Sequence, residues 1–388
     1  MPGSIGMTTA SFVAYIIFMV LSMPTIWVRP HKLETIFHIS SIVVVVFEVV
    51  LLIWAVATMG PAGFGDTMHS SGAGVNGWNI AYGIVSTVGS LAAGILNQND
   101  FARFAKKPQD AIRGQAFSIA PYGIFCCLIG ILVTGATEKR YGQSYWNLPD
   151  LLSAVITHGG TRSRVAGFFA GLALVISQMG INVPSNALSG GFDLAAMAPK
   201  YLNIRRGAYL TALISIACNP WRLVNTSTVF LSVMSSYSVF MGPMIGVMIT
   251  SYFIVNQQKL KVDDLFVGNK SSIYWFSGGY NWRALIAWVC GTFPSLPGFA
   301  ASVNTDIHVA AGWTRLYYIC FLTGITISGT VYVVLHRVFP NQTQTRWILD
   351  APPAKACMQQ YEKMTDCQFQ SSEDSLHYDV EVAQKIDV

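Results

Sequence analysis

Gly171-Leu172-Ala173-Leu174-Val175-Ile176-Ser177-Gln178-Met179-Gly180-Ile181-Asn182-Val183-Pro184-Ser185-Asn186 lies inside a stretch, 165–192, that contains no Asp, Glu, Lys or Arg. A helix needs about 20 mostly apolar residues to cross the hydrocarbon core of a bilayer. This run exceeds that length and still carries two asparagines, a glutamine and a proline, so it reads as a membrane helix with one polar face. The rest of the chain agrees. Only 11% of the 388 residues are charged and 52% are hydrophobic, with a mean hydropathy of +0.46. A soluble domain carries about a quarter charged residues, so the solvent implied here is lipid.

Working outward, nine stretches approach or exceed the spanning length: 9–28, 37–59, 79–97, 117–136, 164–191, 207–221, 227–255, 283–302 and 312–339. The sixth is short and stops at Asn219-Pro220-Trp221. An amphipathic piece around Leu148–Ile156 reads as interfacial. The basic residues favour one side. Arg29, Lys32, Arg103, Lys106, Lys107, Arg113, Lys200, Arg205, Arg206, Lys259, Lys261, Lys270 and Arg283 fall in alternate loops. Only Lys139, Arg140, Arg162, Arg164, Arg222 and Arg315 fall in the others. That bias puts the C-terminus in the cytosol and the N-terminus outside, an awkward start for a chain without a recognisable signal peptide. Residues 341–388 are polar and acidic and read as a disordered cytosolic tail after a transmembrane domain of 1–340.

The net charge of +5 is scattered in short clusters, which argues against a nucleic-acid partner. The seven cysteines form no CxxC or Cys/His spacing, and no metal or cofactor is expected. No nucleophile elbow or phosphate-cradling loop points to an enzyme or an ATP-driven pump.

Polar groups inside spans are costly, so they mark candidate sites. Asn182 and Asn186 lie four apart on one helical face, with Pro184 loosening the backbone between them. An amide offers donors and an acceptor, the pattern needed to read the edge of an imide or amide ring; helix-to-helix bonding is the structural alternative. Asp100 and Arg103 share a face at the end of the third span, as an interfacial ion pair or as an inner gate. The run Ser235-Ser236-Tyr237-Ser238, followed by Gly242-Pro243, suits tight packing or a flexible gate. Glu48 is a lone carboxylate within the second span, and His31 and His38 lie near a helix end.

Several of these runs also resemble a known family. Asn97-Gln98-Asn99-Asp100-Phe101-Ala102-Arg103-Phe104-Ala105-Lys106-Lys107-Pro108 is similar to the motif closing the sixth helix of the nucleobase:cation symporter-1 family. So are Gly180–Asp193, Tyr201–Gly207, Ser236–Pro243, Asn281-Trp282-Arg283-Ala284 and Pro294–Phe299. The likeness covers about residues 8–340 and is nearest the fungal branch of uracil, uridine, allantoin and thiamine permeases. It implies an all-α integral membrane bundle of two inverted five-helix repeats, in which the nine spans match helices four to twelve of twelve. It also implies a secondary-active importer of a small polar ring compound, in the plasma membrane. Asn186 would be the ring-amide contact and Asn182 its support. Gly89 and Ser90 would lie near the break in helix six, and Met234 would act as a gate.

Two departures qualify the likeness. Ile181 stands where sodium-coupled members carry a hydroxyl, and an alkyl group cannot ligate a hard cation, so a proton rather than sodium is the expected coupling ion. Ser251-Tyr252 replaces an acidic residue before the tyrosine. Helices one to three would supply a stacking aromatic, an amide contact and half of the cation site. The expectation is therefore an N-terminally incomplete carrier, inactive if it acts alone, with a non-transporting regulatory or degenerate paralogue as the alternative. An amino-acid or sugar carrier of similar build is the alternative within transport.

Overall fold

The computed structural model describes residues 8–28, 33–60, 76–102, 105, 108–218, 221, 227–265, 267–304 and 306–353. Arg103, His31 and the tail beyond residue 353 lie outside the described residues. Among those described, every regular element is helical. The membrane-length helices begin with α1 (Thr9–Trp27), α2 (Leu33–Thr58), the pair α3 (Gly77–Ser90) and α4 (Ala92–Ala102), and α5 (Pro108–Tyr141). A short amphipathic helix, α6 (Leu148–His158), covers the expected interfacial piece. Then come α7 (Thr161–Asn182), a π turn Val183–Leu188 and α8 (Ser189–Met197), followed by α9 (Ile204–Ala217) and α10 (Ser227–Thr250) with its own π turn Ser251–Val255. The remainder is α11 (Val262–Leu265), α12 (Trp282–Thr292), α13 (Leu296–Val303), α14 (Ala311–Tyr318), α15 (Cys320–Val338) and α16 (Gln342–Asp350).

Eight of these stretches are long and apolar enough to span a bilayer, among the described residues. The sixth expected span, 207–221, is α9, only 14 residues long and too short to cross the hydrocarbon core unaided. The first part of the expected tail forms α16. Large apolar side chains stand open along the spans, Phe117 at 78% exposure and Phe168 at 67% among them. A water-soluble chain would not leave such continuous surface uncovered.

The chain divides into two compact units. One comprises Met1–Asn76 and Asn97–Val233, the other Gly77–Leu96 and Met234–Val388. In the first unit, Val183, Ala187, Leu188 and Phe192 of the π turn and α8 pack against Ile26, Leu33, Ala208 and Ala212 of α1, α2 and α9. A second cluster joins Leu51 and Ala55 of α2 to Ile129, Val133 and Ala136 of α5 and to Leu151 and Val155 of α6. Between α8 and α9 the backbones nearly touch. A side chain at Gly191 would meet the Ile204 carbonyl at 2.5 Å, and one at Gly207 would meet the Gly191 carbonyl at 2.8 Å. Van der Waals contact between small residues drives helix association in lipid, where the hydrophobic effect supplies no force. In the second unit Val85, Ala92, Val239, Ile245, Tyr317 and Phe321 form the core.

Arginine–tryptophan pairs mark the helix ends. In the first unit Arg205, at the start of α9, lies 4.8 Å from the Trp27 ring at the end of α1. Arg140, near the end of α5, lies 5.3 Å from Trp54 near the end of α2. In the second unit Arg315 of α14 lies 5.5 Å from Trp78 at the start of α3. Each pair joins two helices near an end of at least one of them. Tryptophan and snorkelling arginine both favour the headgroup level.

The connection from α10 to α12 is held by one carboxylate. Asp264 accepts from the Ile273 amide at 2.9 Å and pairs with Lys261 at 2.9 Å, while the Ser272 hydroxyl donates to the Asp264 carbonyl at 2.7 Å. The Ile273 amide, and then the lysine, hold the Asp264 carboxyl below its usual range. A carboxylate whose folded-state pKa is depressed stabilises the fold above its unfolded pKa of about 3.9, and that contribution is lost as pH falls through the folded value. Asp264→Asn should therefore melt earlier than the unaltered protein at neutral pH in detergent. The two melting curves should converge below about pH 4.

Candidate functional site

The polar run in α7 does not continue as a regular helix. Pro184 has no N–H for the Gly180 carbonyl, and its ring crowds that group. The chain responds with the π turn Val183–Leu188, a widening that recurs where membrane helices carry function. Asn182 is the last residue before the turn and half-buried; Asn186 lies within it and is exposed. The Asn186 Nδ2 donates to the Asn182 Oδ1. This bond orients both amides and leaves the Asn186 Oδ1 and the Asn182 Nδ2 available to a ligand edge.

A serine of α2 braces the same region. Ser40 is buried and packs directly on Gly180, where an added side chain would collide with its hydroxyl. The Ser40 Oγ donates to the Ile176 carbonyl at 3.4 Å, one turn before Gly180. The second unit repeats the device. Ser238 of α10 is buried and packs on Gly89, and its Oγ donates to the Val85 carbonyl at 3.1 Å, one turn before Gly89. Just beyond, the helix breaks at Leu91 between α3 and α4, with the Leu91 amide turned to the Val88 carbonyl at 3.1 Å.

The sequence-selected residues thus fall into two sets. Asn182, Asn186 and Asp100 belong to the first unit; Gly89, Ser90 and Met234 belong to the second. Gly89 and Met234 are brought together, the Met234 carbonyl lying 3.4 Å from where a Gly89 side chain would start. Ser90 is exposed and donates to the Thr87 carbonyl at 2.7 Å. Asp100 precedes Phe101, whose ring meets Phe192 of α8 edge-on at 6.1 Å. Glu48 receives the Cys126 thiol at 3.5 Å from α5. Ser40 was not singled out in the sequence, because a buried serine bracing a neighbouring helix has no signature of its own.

This constellation can be set beside known proteins. A family model described as permease for cytosine/purines, uracil, thiamine and allantoin matches residues 1–324. The chain belongs to that family. The allantoin permease of Saccharomyces cerevisiae is 35% identical over 87% of this chain and 54% of its own length. The uracil permease of the same yeast is 33% identical over 87% and 54%, and the transporter aclS of Aspergillus oryzae 32% over 88% and 61%. The chain therefore spans little more than half the length of these permeases. MHP1, a nucleobase-cation-symport-1 family transporter solved closed with bromovinylhydantoin bound, superposes with a TM-score of 0.64. It is 19% identical over 88% of this chain and 71% of its own, and that likeness establishes the fold. Family membership, together with eight stretches long and apolar enough to span a bilayer among the described residues, makes this chain an integral membrane protein of the permease family.

The Ser40–Gly180 contact predicts a specific rescue. Gly180→Ala should destabilise the detergent-solubilised protein by roughly 1–3 kcal/mol through overpacking. Ser40→Gly in the same chain should recover most of that loss, despite the lower helix propensity of glycine, about 1 kcal/mol. Thermal melts of the two single variants and the double variant measure both.

Proposed function

We propose that this permease imports a nucleobase-like ring, of the uracil, uridine, allantoin or thiamine class, across the plasma membrane with its C-terminus in the cytosol. The observation that carries this reading is the asparagine pair at the π turn. Asn186, oriented by Asn182, presents a carbonyl acceptor and a remaining N–H to a ring that offers its own N–H and C=O side by side. Helix interruptions that expose such groups are where inverted-repeat carriers hold their substrates. In the second unit, Gly89 and Ser90 come just before the helix break at Leu91 and are the candidate substrate residues there. Met234, Asp100 and Arg103 would serve as gates. The matched relatives named for allantoin and uracil favour the same substrate class.

Coupling to protons rather than sodium is supported by Ile181, whose side chain brings no oxygen to the position before Asn182. Each proton entering down a membrane potential would supply about 2.3 kcal/mol per 100 mV, enough for import against a gradient. Alternating access would come from rocking of helix bundles about the bound ring.

The test is uptake of labelled uracil, allantoin, thiamine and leucine by a host lacking nucleobase carriers, with the protein expressed from its native gene. We expect concentrative uptake of one ring compound, none of leucine, and abolition by a protonophore but not by sodium removal. Asn186→Ala should lower apparent affinity at least tenfold without changing the amount of protein in the membrane. Uptake that ignores Asn186→Ala would contradict the site. The absence of uptake of every ring would point to a non-transporting paralogue.

A further inference from the structure

The end of α15 and the short helix after it enclose a pocket of about 290 Å³ within the second unit. His336, Arg337, Asn341, Gln344 and Thr345 form its polar wall; Ile254, Val333 and Leu349 contribute apolar surface. None of these residues belongs to the candidate transport site.

Three features make the pocket receptive to a phosphate. His336 is only 8% exposed. Its Nδ1 lies 3.2 Å from the Tyr332 carbonyl and its ring lies tilted against that of Tyr332, centroids 4.2 Å apart, but its buried Nε2 has no hydrogen-bond partner among the described residues. With Nδ1–H held by the carbonyl, Nε2 accepts from a hydroxyl when the ring is neutral and donates when it is protonated. Buried polar atoms are almost always bonded, so an orphan in a pocket wall points to a partner not yet present. Arg337, beside it, is exposed and makes no ion pair with the described residues. The third feature is the start of α16. Asn341 occupies the capping position without capping; its Nδ2 donates to the Ile273 carbonyl at 3.2 Å. The first N–H groups of that helix are left without a side-chain cap, a setting that favours an anion.

The surroundings select the source of that phosphate. The pocket begins where the span Cys320–Val338 ends, so it sits at headgroup level. Leu349 is 75% exposed and Ile254 51% exposed on its rim, an apolar border that a free anion would not use. The volume suits a headgroup and lies below the usual range for a larger ligand. The polar wall is also rigidly held. Gln344 Nε2 donates to Asn256 Oδ1 at 2.6 Å, and Asn256 Nδ2 donates to Ser251 Oγ at 3.3 Å. Lys259 Nζ donates to the Ile348 and Ala351 carbonyls at 2.6 and 2.8 Å, closing the other end of α16.

We propose that this pocket binds the phosphate headgroup of an anionic membrane lipid. Arg337 pairs with the phosphate, His336 Nε2 meets a headgroup hydroxyl, and the acyl chains run along Ile254 and Leu349. A bound lipid would brace α16 against α10 and α15. The inference rests on the membrane character of the chain and is independent of which ring it carries.

The test uses the intact protein in nanodiscs of phosphatidylcholine, alone or mixed with phosphatidylinositol, with native mass spectrometry reading the lipid that stays bound. Phosphatidylinositol should be retained about tenfold over phosphatidylcholine, as expected for one charge-assisted contact. Arg337→Gln, an exposed change that should leave the fold intact, should erase most of that preference. His336→Phe, which keeps a ring against Tyr332, should weaken it. Excess inorganic phosphate should not displace the lipid. Equal retention of the two lipids, or a preference indifferent to Arg337→Gln, would overturn the proposal. Displacement by inorganic phosphate would overturn it too, in favour of a soluble anion.

Discussion

Inside hydrocarbon a backbone carbonyl or amide has no water to turn to, so every group must find its partner within the protein. A membrane helix that breaks to expose polar groups must therefore be held by its neighbours. Here the same small device appears beside both interruptions. Ser40 packs on Gly180 and reaches the Ile176 carbonyl; Ser238 packs on Gly89 and reaches the Val85 carbonyl. In each case a glycine lets two helices approach until a serine hydroxyl can bond a carbonyl across the gap. The asparagine pair and the Leu91 break sit just past these contacts. Pro184 and the turn at Leu91 open the two helices, and the two serines hold neighbouring helices against them.

Much of this fold was legible because lipid imposes a simple rule on sequence. Long uncharged runs gave the spans, and their lengths fixed which runs could cross. α9 was the exception. Its apolar stretch reads on toward Trp221, but the described helix ends at Ala217. α5 was longer than its apolar run because polar residues at both ends, Gln109 and Arg140 among them, continue the helix into the interfaces. The start of the acidic tail folds as α16 because Ile348 and Gln344 are buried, and Lys259, distant in sequence, closes its end.

The candidate site was only half legible. Asn182 and Asn186 announced themselves by spacing and by the cost of placing amides in lipid, and Pro184 between them signalled a disturbed helix. The hydrogen bond that joins the two amides follows from the same spacing, but the π turn that opens their surroundings does not. Ser40 and Ser238 were invisible as site residues, since a serine inside a span looks the same whether it braces a neighbour or simply satisfies its own helix. Ser251 is similar. The sequence shows it only as a departure from an acidic pattern, whereas in the structure it joins Asn256 and Tyr332 in one chain of polar contacts.

The central claim is that Asn186 reads the N–H and C=O edge of a ring. The most direct measurement compares binding of the transported ring with that of its N-methylated analogue, to the unaltered protein and to Asn186→Ala in nanodiscs. If the asparagine reads that edge, the unaltered protein should favour the parent ring by about tenfold or more, and the variant should bind both equally and weakly. Equal discrimination by the two proteins would show that the ring is read elsewhere and would contradict the account.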